Sequence, residues 1–506
     1  MNRTLVALIG SGLVVGLILT MLARGPGRSN PEVAGTPVKL FCAASNRAVI
    51  EQILADYQQQ FSRSVHVEYG ASQTLLSQLE VSRSGDLFLP ADDSYLALAR
   101  DKGLVEERLP IAQMNAVVAV AKGNPRKINS FADLLRDDVR LVQAAPEAAA
   151  IGKVTQATLT TAGLWDPLHQ ATMAYRATVT EAANDVAVGA ADAAIVYDAV
   201  LHSYPSLQAI EMKELLPATS KVAIGVTTFT DNSPAAFHLA RYITARDRGL
   251  QHYAEHQFDV SGGDQWADPL DLKLFAGSML RPALEQTIAD FEKREGVSVS
   301  TVYNGCGILV AQMKAGQVPD AYFACDTEFM KQVPDLFPEP TDVSQNELVI
   351  VVQKGNPHQI GSLKDLANPG LRVGIGHEKQ CAMGWLTQNT FREGGIQQEV
   401  MANVTVQTPT GDMLVNQMRA GSLDAAVVYL SNVAGSGDLL DAVRISGLPC
   451  SIATQPFAVK PDSPHATTAA RLFQKICSTQ SQADFAAEGF RWKVPTAESS
   501  PQAIAE

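Results

Sequence analysis

A chain of 506 residues with 46% hydrophobic and 18% charged side chains is too long for one core at the usual ~100 to 200 residues per domain, and it is neither a disordered polyelectrolyte nor a polytopic membrane bundle. Forty basic against 53 acidic residues leave a formal charge of −13, a sign that repels phosphate backbones and disfavours general nucleic-acid binding. The six cysteines, Cys42, Cys306, Cys325, Cys381, Cys450 and Cys477, include no CxxC pair and are too few for a disulfide scaffold, so zinc ribbons and thioredoxin-like motifs have no support.

In chain order, the first feature is the uncharged, mostly apolar run Thr4 to Leu22. As a helix rising ~1.5 Å per residue it reaches about 28 Å, close to the thickness of bilayer hydrocarbon. No small-residue cleavage site of A-x-A type and no lipid-attachment cysteine follows it. Residues 1–28 therefore read as a retained membrane anchor, a cleaved signal being the alternative. Arg3 set against Arg24 and Arg28 leaves its orientation open. Residues 29–37 read as a linker.

Beyond it, short β-rich runs alternate with amphipathic helices. Val38 to Phe41 predicts a strand, and Arg47 to Phe61 carries Val49, Ile50, Ile53, Leu54, Tyr57 and Phe61 at helical spacing. Val65 to Tyr69 is the next strand, Ser72 opens a helix bearing Leu75, Leu76 and Leu79, and Val117–Val120, Arg140–Val142 and Ala193–Val196 predict later strands. This order implies an α/β fold with largely parallel sheets, whose ligands bind beyond the strand carboxyl ends, where helices begin.

The whole pattern then recurs. Lys122 to Leu134 returns as Lys354 to Leu366 at a spacing of 354 − 122 = 232, Asp192 to Tyr197 returns as Asp424 to Tyr429 at the same spacing, and Lys39 to Phe41 returns as Lys273 to Phe275 at 234. Such a period far exceeds a solenoid repeat and marks duplication of a whole domain. Copy one spans 38–258, a turn-rich linker 259–269, and copy two 270–493; residues 494–506 read as a disordered tail.

Phe41-Cys-Ala-Ala-Ser45, Tyr69-Gly-Ala-Ser72, Asp86 to Asp92, Pro146 through Gly152 to Asp166, and Ile195-Val-Tyr197 resemble, in order and spacing, the periplasmic molybdate-binding proteins of ABC importers. Phe275-Ala-Gly-Ser278, Tyr303-Asn-Gly-Cys-Gly307 and Ala324-Cys-Asp326 are similar to the molybdate/tungstate branch of that family. The resemblance implies two tandem type II periplasmic-binding-protein domains, each of two α/β lobes around a cleft, with the second lobe over 122–218 in copy one and 354–448 in copy two. It implies oxyanion ligands at Ser45, Ser72, Ile151, Val179 and Tyr197, and in copy two at Ser278, Cys306, Met383, Gly411 and Tyr429. Its partners would be molybdate or tungstate and a membrane ABC permease, with no cofactor, at the extracytoplasmic face.

A tetrahedral oxyanion suits such residues physically, because helix N-termini hold anions through unpaired N–H groups without lysine or arginine. Taken singly, the residues permit plainer readings: Ser45 and Ser72 as N-caps, Tyr197 and Tyr429 as half-buried strand-end tyrosines. Cys306 puts a weaker donor where a hydroxyl is expected. It also joins Cys325 and Cys381 at cleft motifs, where three thiols could pack as small apolar residues, form a disulfide, or hold Cu(I) or zinc with Met383 or His377. No nucleophile elbow, HExxH, P-loop or dinucleotide motif occurs, and His252 with His256 lacks a third metal ligand. The leading expectation is a binding protein and not an enzyme. A membrane-tethered sensor or adaptor, and a thiol or metal module in copy two, are the alternatives.

Overall fold

The computed structural model describes residues 37–495. The anchor expected over Thr4–Leu22 and most of the C-terminal tail lie outside them. Among the described residues no helix is long and apolar enough to cross a membrane.

Copy one contains β1 (Val38–Ala43), β2 (Val65–Gly70), β3 (Leu87–Leu89), β4 (Val105–Ala121), β5 (Leu141–Ala144), β6 (Thr172–Arg176), β7 (Ala193–Tyr197), β8 (Leu207–Ile210), β9 (Thr219–Thr227) and the short β10 (Asp259–Val260). Their order is β2-β1-β3-β9-β4-β7-β5-β6. Copy two repeats it with β11 (Asp271–Gly277), β12 (Ser298–Asn304), β13 (Ala321–Phe323), β14 (Thr341–Gln353), β15 (Val373–Gly376), β16 (Val404–Thr408), β17 (Ala425–Tyr429), β18 (Leu440–Arg444), β19 (Ile452–Val459) and β20 (Arg491–Trp492), in the order β12-β11-β13-β19-β14-β17-β15-β16.

The sheets are mixed, not largely parallel. β1 runs parallel to β2 and β3, and β5 parallel to β6 and β7, but β4 is antiparallel to β7, β8 and β9. The cause is the length of β4. Its first part pairs with β9 in lobe one and its last part, from Ala116, with β7 and β8 in lobe two. The apolar run Ala116–Ala121 is thus a central strand of the second lobe, which begins before Lys122. In copy two the same division of β14 starts the second lobe at Leu348, before Lys354.

Both lobes of a copy share one continuous core, with Leu40, Phe88, Val118 and Val196 fully buried in copy one. Helix Arg47–Phe61 buries Val49, Ile50, Ile53, Leu54 and Tyr57, the stripe its spacing predicts, and ends on Ser62 in the left-handed region (φ 52°).

The segment 259–269 is a packed strap. Asp259 and Val260 add to β4, and Trp266 packs edge-on against Phe61, His238 and Tyr242. Asp264 accepts the backbone N–H groups of Thr467 (2.7 Å) and Thr468 (2.9 Å), capping helix Ala466–Ile476 of copy two. Alongside it, helix Ser233–Thr244 is buried from Ala236 to Thr244 and meets helix Arg281–Glu295. Gly296 makes that approach possible: it sits at φ 65°, and a Cβ there would lie 2.7 Å from Pro234. At the other end, Val494 packs on the core of copy two.

Candidate functional site

Ser45, Ser72, Ile151, Val179 and Tyr197 line one cleft of about 240 Å³ between the lobes of copy one, together with small residues such as Ala43, Gly70, Ala91 and Ala149. Four of them stand at helix starts. Ser45 lies in the 3-10 turn Ala44–Asn46 that feeds helix Arg47–Phe61. Ser72 begins helix Ser72–Ser82, Ile151 is the second residue of Ala150–Thr161, and Val179 the first of Val179–Ala187. The first N–H groups of a helix have no intrahelical acceptor. Ala149 offers no capping side chain, and Thr178 Oγ1 accepts Glu181 N–H at 3.2 Å while sharing a 3.1 Å bond with Thr180 Oγ1. No lysine or arginine lines the cleft.

Neither serine acts as an N-cap. Ser72 Oγ accepts the backbone N–H of Ala91 at 3.1 Å, which ties the helix start to the end of β3 and leaves the hydroxyl proton free. Ser45 Oγ is approached only by its neighbour Asn46, at 3.4 Å. Tyr197, fully buried, shares a 2.8 Å bond with Ser220 Oγ. If Ser220 donates, the phenol proton is available to a ligand, and burial pushes the Tyr197 hydroxyl far above its ordinary pKa, so it stays a neutral donor. Sequence reasoning missed Ser220. Its only signal was a polar residue in the apolar strand β9.

In copy two, Ser278 begins the 3-10 turn Ser278–Leu280, Cys306 begins helix Cys306–Lys314, Met383 is second in Ala382–Glu393, Gly411 begins Gly411–Arg419, and Tyr429 ends β17. Each element matches its counterpart in copy one, but Ser278 does not match Ser45: with Gly277 in the place of Ala43, Ser278 stands where copy one has Ala44, and Met279 where it has Ser45. The hydrogen bonding differs as well. Cys306 Sγ takes the place of Ser72 Oγ, accepting Cys325 N–H at 3.1 Å. Tyr429 Oη, buried, has no partner, because Ala453 in β19 stands where copy one has Ser220. A Cβ at Gly411 would lie 2.3 Å from Asn432 Oδ1, so a side chain there would displace the Asn432 amide.

The thiols divide in two groups. Burial raises the Cys306 thiol, but hydrogen bonds from the Cys325 thiol and the Cys325 N–H outweigh it and bring Cys306 below its ordinary pKa. Cys325, bonded to Cys306 and buried, is pushed far up. Cys381 is the N-cap of the second-lobe helix, and burial pushes its thiol up to about 12. All six cysteines are free. Among the described residues no three His, Cys, Asp or Glu side chains converge as a metal site. The three-cysteine metal site is therefore absent from this closed conformer, and His377 instead accepts Lys379 N–H at 3.3 Å. His252 meets Asp56 at 2.8 Å, and His256, which is buried, meets Gln52 at 3.1 Å.

Two further pockets lie where the copies meet. Three of their four arginines are engaged within the protein, Arg471 with Glu295, Arg294 with Glu107 and Arg241 with the Glu295 carbonyl; the fourth is Arg100.

A family model described as bacterial extracellular solute-binding protein matches the chain twice, over residues 38–248 and 272–491. The molybdate-binding protein ModA of Mycobacterium tuberculosis is 30% identical over 175 residues, which cover 34% of this chain and 65% of that protein. A Haemophilus influenzae protein named as a binding protein is 26% identical over 228 residues, 44% of this chain and 90% of the relative. Among solved structures, the periplasmic molybdate-binding protein of Azotobacter vinelandii matches over 44% of this chain and 100% of its own, at 16% identity and a TM-score of 0.38. The Mycobacterium tuberculosis sulfate-binding protein SubI matches over 45% and 88%, at 19% identity and a TM-score of 0.39.

Proposed function

The chain belongs to the bacterial extracellular solute-binding proteins and carries that domain twice in tandem, and on this premise we propose that copy one captures a tetrahedral oxyanion, molybdate or tungstate, for delivery to an ABC permease. The chief support is the cleft itself: three hydroxyls and two helix starts face one space that holds no basic side chain. Such a site suits a compact dianion, which draws on oriented N–H and O–H dipoles. Several hydrogen bonds to a charged group, at ~1.5 to 3 kcal/mol each, give a gross stabilisation on the order of 10 kcal/mol or more. After association costs this leaves room for micromolar to nanomolar affinity. In this reading the protein is a binder without catalysis, and Thr4–Leu22 tethers it at the extracytoplasmic face.

Calorimetric titration of the full chain with molybdate, tungstate, sulfate and phosphate tests the reading. Molybdate and tungstate should give a tight site and sulfate a much weaker one. At 100 times its dissociation constant the ligand should stabilise the protein by about 2.7 kcal/mol, read as a raised Tm. Absence of both heat and Tm shift with either ion at millimolar concentration rules the reading out.

A further inference from the structure

The two clefts are built on the same elements but differ in donor chemistry. Ser72 is replaced by Cys306, Ala91 by Cys325 and Ile151 by Met383, so soft sulfur stands where copy one has a hard hydroxyl and apolar carbon. One exchange is sterically paired. A Cβ at Gly277 would lie 2.0 Å from Cys325 Sγ and 3.3 Å from Cys306 Sγ, so both sulfurs crowd a single point. Copy one has Ala43 at that position and Ala91 in place of Cys325, and an alanine methyl carries no further atom into the space. Glycine on β11 thus makes room for a second sulfur beside the first.

The surroundings favour a cation over an anion. Asp412, in the position of Thr180, adds a carboxylate to the first turn of helix Gly411–Arg419, where it accepts from Asn432 Nδ2 at 3.0 Å. The hydroxyls of Tyr322 and Tyr429 are buried without partners, and both rings lie within electrostatic reach of Cys306 and Cys325. A tetrahedral dianion would meet a weak thiol donor and an added negative charge. A soft closed-shell cation meets two sulfurs, the donors it prefers.

We propose that the cleft of copy two holds a soft, two-coordinate cation of the Cu(I) class between the sulfurs of Cys306 and Cys325, and not an oxyanion. Two ligands suffice for such an ion, in keeping with the absence of a three-residue metal cluster among the described residues. Coordination forms two metal–sulfur bonds, sends the thiol protons to solvent and leaves the oxidation state of the metal unchanged. Entry requires the lobes to open, because Cys306 is fully buried in the closed form.

The test is anaerobic titration of the reduced full chain with Cu(I) against a chromogenic Cu(I) chelator. The wild-type protein should withhold one equivalent from the chelator, Cys306→Ser and Cys325→Ser should each lose that competition, and Cys381→Ser should keep it. Melting curves of each variant separate lost ligation from lost folding, and molybdate binding by copy one should persist in all. The proposal is overturned if the wild type yields all its Cu(I), if either serine variant folds and still competes, if a second molybdate equivalent binds to copy two, or if the isolated protein carries a Cys306–Cys325 disulfide that dithiothreitol does not open.

Discussion

The backbone N–H of Gln73, in the first lobe of copy one, donates to the carbonyl of Ala148 in the second lobe at 3.1 Å, and Gly307 repeats the bond to Gln380 at 3.1 Å in copy two. Each donor is an early N–H of a helix, a group with no partner inside its own element. The opposite lobe supplies the acceptor, so closure completes the helix start. Copy two closes tighter. A Cβ at Gly307 would sit 2.0 Å from Lys379 O, and one at Gly305 2.4 Å from both Gln380 O and Pro409 O, where copy one has room for the side chains of Ala71 and Gln73.

Gly307→Ala should therefore hold the lobes of copy two apart. Neither neighbour is a flexible side chain tip that could swing aside; both contacts are backbone. The expected outcome is faster labelling of Cys306 by a thiol reagent in the folded variant, with molybdate affinity at copy one unchanged. A labelling rate equal to wild type would mean that the closed contact is not what shields the thiol.

Ser45 and Ser72 should respond differently to loss of their hydroxyls. Ser72→Ala removes the acceptor for the buried Ala91 N–H and should cost about 1 to 3 kcal/mol of stability along with oxyanion affinity. Ser45 has only a long contact with Asn46, so Ser45→Ala should leave the Tm close to wild type while weakening molybdate binding by about 1.5 to 3 kcal/mol, the size of one hydrogen bond to a charged group. Denaturation and titration of both variants check this. Unchanged affinity in Ser45→Ala would place that hydroxyl outside the binding site.

The duplication was legible because the sequence repeats motifs at matched spacing, and the helices because apolar residues recur on one face, as in Arg47–Phe61. Strand direction was not. Within β4 only Val117–Val120 reads as an apolar run, and it is the pairing with β9 and then β7 that shows one long strand serving two lobes. The five residues of copy one named by the resemblance gather around one cleft because four fall at helix starts and Tyr197 at the end of β7, where local chain geometry and site geometry coincide. Ser220 escaped because it reaches Tyr197 from a strand distant in sequence, a contact no local pattern encodes. The same holds for the Gly277–Cys325 exchange, which is visible only once β11 and β13 are set side by side.

Stability of copy one should fall on mild acidification through His238. Its ring is buried, with Nδ1 bonded to Tyr57 Oη at 2.8 Å and Nε2 to Asp268 at 3.2 Å. Burial first, and then nearby arginines, lower its pKa from 6.5 to about 4, against the opposing pull of Asp268. The unfolded chain thus takes up a proton below about 6.5 that the folded protein refuses until about 4. More protons bound in the unfolded state means stability that rises with pH across this window and is lost as pH falls through it. Urea denaturation at pH 7 and pH 4.5 should show the loss, and His238→Gln should flatten this part of the profile. An equal slope in the variant would assign the acid sensitivity to other groups.

The junction of the two copies should depend on a buried charge cluster centred on Glu295. Its carboxylate receives Arg471 Nε at 2.8 Å and Nη2 at 2.7 Å, its carbonyl receives Arg241 Nη1 of copy one at 2.6 Å, and both Glu295 and Arg471 are at most 5% exposed. The preceding residue, Arg294, reaches back to Glu107 of copy one with two bonds of 2.8 Å. Breaking such a pair from one side strands a desolvated charge, at a cost of about 3 to 5 kcal/mol, whereas replacing both partners by apolar groups is often close to neutral. Glu295→Ala should therefore destabilise strongly, and Glu295→Leu with Arg471→Met should recover most of the loss. Helix Arg281–Glu295 lies directly on helix Ser233–Thr244 of copy one, so the single variant should also split unfolding into two transitions where the wild type shows one. Denaturation followed by a copy-one probe such as Trp266 and a copy-two probe such as Trp385 reads both effects. A single coincident transition in Glu295→Ala, or a double variant no more stable than the single, would show that the copies are held by packing and by the Arg241 and Arg294 bonds, independently of this copy-two ion pair.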